Sequence, residues 1–313
     1  MARQRKRKGD PITGWLNLFK PVDVTSTQAV AILKKKYNAQ KVGHGGTLDP
    51  LADGILPIAF GEATKTVQWA MDAQKEYVFT IRWGISTESQ DAEGEVTATS
   101  DARPSRDQVE NLLKDYIGTI EQVPPRFSAI KVDGQRAYDL AREGEEFELT
   151  SREVDVFTAS VIGMPDADHT VIHVTSGKGF YVRAMARDLA FDLECEGHIS
   201  QLRRTRVGQF NAPTAIALSR IEEGDDMETL MSFLQPIHAV LEDVPSLDIT
   251  REEAGHIRHG RSIVLLPHIV EHWRDQKPED SEDRSAIAVC EGKAVALGEV
   301  RAGQFEPGRV FSS

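Results

Sequence analysis

The segment Gly43-His44-Gly45-Gly46-Thr47-Leu48-Asp49-Pro50-Leu51-Ala52-Asp53-Gly54-Ile55-Leu56-Pro57 constrains this chain more than any other part of it. Its glycines let a loop approach other groups closely and turn through positive φ. The proline after Asp49 biases that aspartate away from helical geometry. A carboxylate is therefore presented on a stiff, glycine-flanked loop. The apolar run Ile55-Leu56-Pro57-Ile58-Ala59-Phe60 follows at once, so the pattern predicts a site loop feeding a buried strand. Read alone, the segment is also compatible with a structural turn, because Gly-Gly and Asp-Pro are common turn signals.

The surrounding pattern predicts an α+β fold with a mixed, largely antiparallel sheet flanked by helices. Thr25 to Lys36 reads as a helix, with Ser26 or Thr27 near its cap and Ala29, Val30 and Leu33 along one face. Glu62 to Met71 reads as a second helix. Tyr77, Phe79, Ile81 and Trp83 alternate with Val78, Thr80 and Arg82, which is strand periodicity. Ser105 and Gln108 open a helix as a capping box, with Val109, Leu112, Leu113 and Tyr116 as its apolar face. Pro124-Pro125 then breaks the chain. Strands follow near 154–162 and 170–175, and Tyr181 to Leu193 reads as a helix with Val182, Met185, Ala186, Leu189 and Ala190 inward. Pro236 to Pro245 marks a boundary, after which short apolar runs at 262–266, 286–290 and 293–300 predict a small β-rich unit.

With 313 residues, 40% of them hydrophobic, the chain is long enough for about two domains. No apolar run approaches the roughly 18–20 residues of a membrane span. The basic start, Arg3 to Lys8, lacks the apolar stretch of a secretory signal. Cys195 and Cys290 lie far apart and make no metal spacing, so a reducing cytoplasm is the simplest compartment. The net charge of −12 argues at first against a nucleic-acid partner. Its distribution argues otherwise. Residues 1–45 hold ten Lys and Arg against Asp10 and Asp23 alone, Arg203, Arg204 and Arg206 form a second basic group, and the acids crowd at 222–226 and 279–283. An acidic protein can thus carry one basic face.

Several pieces taken together resemble the TruB family, the bacterial tRNA pseudouridine-55 synthases. Gly43 to Pro57 is similar to the family's aspartate loop. Gly14-Trp15-Leu16-Asn17-Leu18-Phe19-Lys20-Pro21 with Thr25-Ser26 resembles its amino-terminal motif, and Lys75-Glu76-Tyr77 its base-stacking strand. Ser176-Gly177-Lys178-Gly179-Phe180-Tyr181-Val182-Arg183 and Leu202-Arg203-Arg204-Thr205 are similar to its later elements. The pieces keep the family's order over residues 12–210. Asp53 stands where many relatives have a small or hydroxyl residue, and Gly46 where alanine is common. The amino-terminal charge run predicts a basic, disordered tail at 1–11. The resemblance implies a catalytic domain at 12–245, an RNA-gripping thumb inserted at about 124–150, and a PUA-like RNA-binding domain at 246–313.

The implied reaction breaks the N1–C1′ bond of a uridine, turns the uracil and rejoins it through C5. No atoms are exchanged with a cosubstrate, so no cofactor and no metal is expected. The base must be flipped out of the folded RNA, at a cost of a few kcal/mol. Asp49 is the expected nucleophile or charge stabiliser. Arg183 is its implied partner, because a guanidinium can hold a carboxylate in fixed geometry. Tyr77 supplies a stacking wall and a hydroxyl. For substrate binding the resemblance implies His44 against the RNA, Tyr181 and Leu202 in the pocket, Lys20 and Lys65 at the loop or phosphates, and Lys131, Arg136 and Arg142 on the thumb. The expected partner is the T-arm stem-loop of tRNA, and a monomer is expected. Three other readings remain: a synthase with another RNA target, an RNA-binding or RNA-folding module without chemistry, and a glycosidase using Asp49 and Asp53 as acid and base.

Overall fold

The computed structural model describes residues 8–128, 130–132, 134–224, 226–241, 243–277 and 282–312. The basic residues Arg3 to Arg7 of the expected tail lie outside the described residues, as does the side chain of Arg136. Gly9 and Asp10 are held against residues 38–40: Asp10 bridges Ala39, and its amide donates to the Asn38 carbonyl at 2.6 Å.

A large mixed sheet carries the first unit. Its strands run in the order Ile216–Ala217, Gly14–Lys20, Asp53–Phe60, Gly197–Val207, Lys75–Trp83, His169–Ser176, Arg152–Asp166 and Gly118–Gln122. Neighbours along this path are antiparallel, except Gly14–Lys20 with Ile216–Ala217 and Gly197–Val207 with Asp53–Phe60. The expected alternation is present: Tyr77, Phe79, Ile81 and Trp83 are buried in the main core with Leu16, Leu56, Ile172, Met185 and Leu189. Each such side chain contributes about 1.5–3 kcal/mol when fully buried. The strand Asp53–Phe60 is buried along its whole length after Asp53, which is what the run after the glycine-rich loop required.

The helices begin where local chemistry dictates, with adjustments. Ser26–Lys36 is capped by Thr25, not by Ser26 or Thr27; Thr25 and Gln28 make a reciprocal capping box, and Ser26 is buried and used elsewhere. Arg106–Leu113 carries the Ser105–Gln108 capping box expected for it. The segment expected as a helix from Glu62 begins instead as a 3₁₀ stretch, Gly61–Thr66, and becomes α-helical over Val67–Asp72. Val182–Asp192 is preceded by Tyr181, whose extended backbone turns the chain into the helix.

Beyond residue 245 a separate five-stranded sheet forms, in the order Ser246–Asp248, Ser285–Cys290, Lys293–Arg301, Gln304–Val310, Ile263–Val264. It packs with the helices Arg251–Arg258 and Pro267–Asp275 around its own core, which includes Leu247, Ile257, Trp273 and Phe305. A small apolar cluster of Leu241, Ile287, Leu297 and Phe311, packed with Trp69, Ile237 and Val240, joins the two units.

Candidate active site

Asp49 lies in the loop between Val42–His44 and Asp53–Phe60. Lys20, at the end of its strand, is fully buried, and its ammonium donates to the carbonyls of Pro21 at 2.8 Å, Val24 at 2.7 Å and Pro50 at 3.4 Å. Burial lowers the Lys20 pKa to about 8, with Asp53 and Asp49 opposing the shift. The Ser26 hydroxyl accepts from the Leu48 amide at 2.9 Å and donates to the Leu48 carbonyl at 3.0 Å, pinning the residue before Asp49. The Asp49 carbonyl accepts from the Ala52 amide at 3.1 Å, closing the turn. The Asp49 side chain keeps about a third of its surface exposed, at 32%.

Arg183, in the first turn of Val182–Asp192, is buried and reaches the loop from the opposite side. Its Nε lies 2.9 Å from Asp49 Oδ2. Its Nη1 donates to the Ser89 carbonyl at 3.0 Å and lies 3.7 Å from Asp91 Oδ2, and its Nη2 donates to the Phe127 carbonyl at 2.8 Å. The guanidinium is thus fixed on three sides and offers one edge to a partly exposed carboxylate.

Asp91 is the member of this cluster that the sequence expectations did not include. It is buried, and its Oδ1 accepts from the Ser89 hydroxyl at 2.5 Å and from the Glu93 amide at 3.1 Å. Its partner Arg183 is distant in sequence, so spacing offered no clue. The local clue is the polar run Glu88-Ser89-Gln90-Asp91, in which an aspartate can fold back on its own loop. Burial first, then the Asp91 and Asp49 charges, push the Glu93 carboxyl up.

Tyr77 is 8% exposed and sits beside Phe180, with ring centroids 6.5 Å apart. Tyr181 is half-buried; its backbone exchanges hydrogen bonds with the Gln122 side chain at 2.8 and 3.1 Å. Burial pushes the Tyr181 phenol up, Ser128 opposes that, and the Asp49 charge adds to it. Leu202 is buried and pairs with Phe79 across the strands. His44, on Val42–His44, is half-buried, and burial and the Arg204 charge hold its imidazole below the ordinary histidine range. Of these, Tyr181 feels the Asp49 charge, and Tyr77 lies opposite Arg204, which binds the loop. Lys65 does not join them: its ammonium binds Glu62 Oε2 and the Val310 carbonyl, each at 2.7 Å, and ties the first unit to the second.

The arginines at 203–206 depart from the expected free basic group. Arg203 holds both carboxylate oxygens of Asp53, at 2.8 and 2.6 Å. Arg204 is buried and donates to the carbonyls of Ile55 at 2.8 Å, Gly46 at 3.1 Å and Thr47 at 3.2 Å. Arg206 donates to the Gly208 carbonyl and lies 3.4 Å from Glu76. The alternating strand sends successive arginines to opposite faces, and each face holds waiting acceptors. The Asp53–Arg203 pair also leaves Asp53 poorly placed as an acid or base partner for Asp49.

The expected thumb is a short hairpin, Lys131–Val132 with Gln135–Arg136, followed by the helix Ala137–Arg142. Lys131, Arg142 and the neighbouring Arg152 are exposed. A groove of about 240 Å³ lies at its root, lined in part by Lys131, Glu148 and Arg152. Phe127 packs edge-on against Tyr138 at 5.9 Å, while its carbonyl binds Arg183, so this segment reaches the Asp49–Arg183 pair.

Comparison with known proteins shows what the chain is similar to. The family model described as TruB family pseudouridylate synthase, N-terminal domain, matches residues 34–182, and that of the tRNA pseudouridylate synthase B C-terminal domain matches 183–242. The chain is 53% identical over 307 residues to a tRNA pseudouridine synthase B of Caulobacter vibrioides, covering 98% of both chains. It is 48% identical to one of Rhizobium johnstonii, covering 100% of both. A chain in the crystal structure of a Cbf5-Nop10-Gar1 complex superposes with a TM-score of 0.69 at 24% identity, covering 96% of this chain and 85% of that one, a likeness of fold.

Proposed function

The chain belongs to the TruB family of pseudouridylate synthases, and from that premise we propose that it isomerises uridine 55 in the T arm of tRNA to pseudouridine. The observation that carries this reading is the 2.9 Å pair of Asp49 with a buried, three-way-anchored Arg183, on a loop whose carboxylate remains partly open. A module that only bound RNA would gain nothing from a carboxylate held near phosphates.

In this reading Asp49 is the nucleophile or charge stabiliser as the N1–C1′ bond breaks. Arg183 keeps it aimed. Tyr77 stacks on the flipped base, and its hydroxyl is a candidate for the proton that must leave C5 when the new C–C bond forms. Tyr181 and Leu202 complete the wall of the pocket, and His44 orders the RNA loop. Lys20 acts on the protein loop, where its bond to the Pro50 carbonyl supports a positioning role. Lys131, Arg136 and Arg142 neutralise phosphates from the thumb, and the unit at 246–313 is a PUA-like RNA-binding domain. The protein works as a cytoplasmic monomer; among the described residues no helix is long and apolar enough to cross a membrane. Incubation with an unmodified tRNA transcript, then base-specific detection of pseudouridine, tests the reading. Product at another site, or none, would overturn it.

A further inference from the structure

The loop is entered through Gly45 and Gly46 and left through Gly54, residues without side chains to anchor its limbs, yet a nucleophile must be held in place. A misplacement of about 1 Å can cost around a hundredfold in rate. Gly45 and Gly46 precede Asp49, and Gly54 follows it. The bond from the Ala52 amide to the Asp49 carbonyl closes the turn but leaves the two limbs to be held from outside.

Arg204 is the group that spans the loop. Its guanidinium, 2% exposed, binds the carbonyls of Gly46 and Thr47 before Asp49 and that of Ile55 after it. Its backbone works in the same place. Arg204 lies opposite Gly54 on one side and opposite Tyr77 on the other. A Cβ on Gly54, where φ is +110°, would come within 2.1 Å of the Arg204 carbonyl oxygen, so only glycine permits this approach. One residue therefore fixes the register of both the loop exit and the strand that carries the stacking ring. Among the described residues this buried cation is bound to carbonyls alone, a costly placement of the kind found at functional sites. Ser26 provides an independent clamp from the neighbouring helix, through both polar groups of Leu48.

We propose that Arg204 is a positioning residue for the Asp49 carboxylate, acting by stapling the two limbs of its loop, and that Ser26 is the second staple. The inference rests on the isomerase reading above. It separates two roles that a basic strand could play: Arg204 sets the rate of the chemical step and contributes little to RNA affinity.

The test is steady-state turnover of an unmodified T-arm hairpin, with RNA affinity and thermal midpoint measured on the same proteins. Arg204→Lys keeps the charge but cannot bridge both limbs, because an ammonium lacks the planar fork. The expected result is a kcat at least about tenfold lower, with KM and Kd within about threefold of wild type. Ser26→Ala should show the same split, and Ser26→Thr, which keeps the hydroxyl, should recover most of the rate. If Arg204→Lys fails to fold, the two Ser26 variants decide. A kcat within twofold of wild type in Ser26→Ala and Arg204→Lys would overturn the inference, and so would a loss confined to KM and Kd. A wild-type protein that makes no pseudouridine would instead defeat the isomerase reading.

Discussion

Replacing Arg183 by lysine looks conservative, and the structure predicts that it is not. The guanidinium makes four contacts at once: Asp49 at 2.9 Å, the Ser89 carbonyl at 3.0 Å, the Phe127 carbonyl at 2.8 Å, and Asp91 at 3.7 Å. An ammonium is a point charge on a flexible stem and cannot reproduce these directions. If it turns to Asp49, it abandons Asp91, a carboxylate almost wholly out of water, and removing one partner of a buried pair costs about 3–5 kcal/mol. If it stays with Asp91 and the carbonyls, Asp49 loses the 2.9 Å ion pair that aims it. The first case falls on stability; in the second the carboxylate is no longer aimed, and a misplacement of about 1 Å costs about a hundredfold in kcat. The assay is single-turnover conversion of a T-arm hairpin carrying tritium at C5 of the target uridine, since closing the C5–C1′ bond releases that hydrogen. RNA affinity should stay within a few-fold of wild type. Arg183→Lys turning over within threefold of wild type would refute the claim that the fixed fork is what aims Asp49.

Three further outcomes follow from the same geometry. Tyr77→Phe should bind RNA as wild type does, whereas Tyr77→Leu should lose about 1–3 kcal/mol of affinity, measured by titration with a T-arm hairpin; slow turnover by the Phe variant would assign the hydroxyl a proton. Lys131→Gln with Arg142→Gln should weaken tRNA binding and flatten the slope of log affinity against log salt by roughly 1.5, because two fewer phosphates are neutralised; an unchanged slope would remove the thumb from phosphate contact. Lys20 yields a pH prediction with a definite sign. Its pKa in the folded protein, about 8, lies below its ordinary value of 10.5. The unfolded chain therefore binds more protons between these values, and the contribution of this group to stability rises with pH across the window. Its hold on the loop weakens over the same window, because a neutral amine has two hydrogens for three carbonyls. The expectation is a kcat that falls with a midpoint near pH 8 with no matching fall in thermal stability from Lys20; a kcat level from about pH 7 to about 9 would refute the role in the loop.

What was legible in the sequence was local. The capping box at Ser105, the period-two strand through Tyr77 and the apolar stripe of Val182–Asp192 announce themselves within a dozen residues, and the structure contains all three. Motif order pointed to the glycine-rich loop and to Arg183 together, which no local pattern could join. The destination of long polar side chains was not legible. Arg203 and Arg204 form a basic patch in one dimension, but the strand sends one to a carboxylate and buries the other on carbonyls. Asp91 was missed for the same reason, since its partner arrives on a distant helix. In the second unit the helix Arg251–Arg258 did have a local signal, the capping box of Thr250 and Glu253, which the reading of a small β-rich unit left unused. Ser26 shows the opposite error, in which a good capping residue is used for a tertiary contact while its neighbour caps the helix.

The central claim is that the Asp49 carboxylate performs the chemistry and is not needed to hold the RNA. Asp49→Asn tests it most directly, because the amide keeps the size and one oxygen acceptor while removing the charge that Arg183 faces at 2.9 Å. The measurement is paired: affinity for an unmodified T-arm hairpin, and pseudouridine formed under single-turnover conditions with enzyme in excess. The account predicts affinity within a few-fold of wild type and no detectable product. Appreciable product from Asp49→Asn would contradict it and move the chemistry to another group in the pocket.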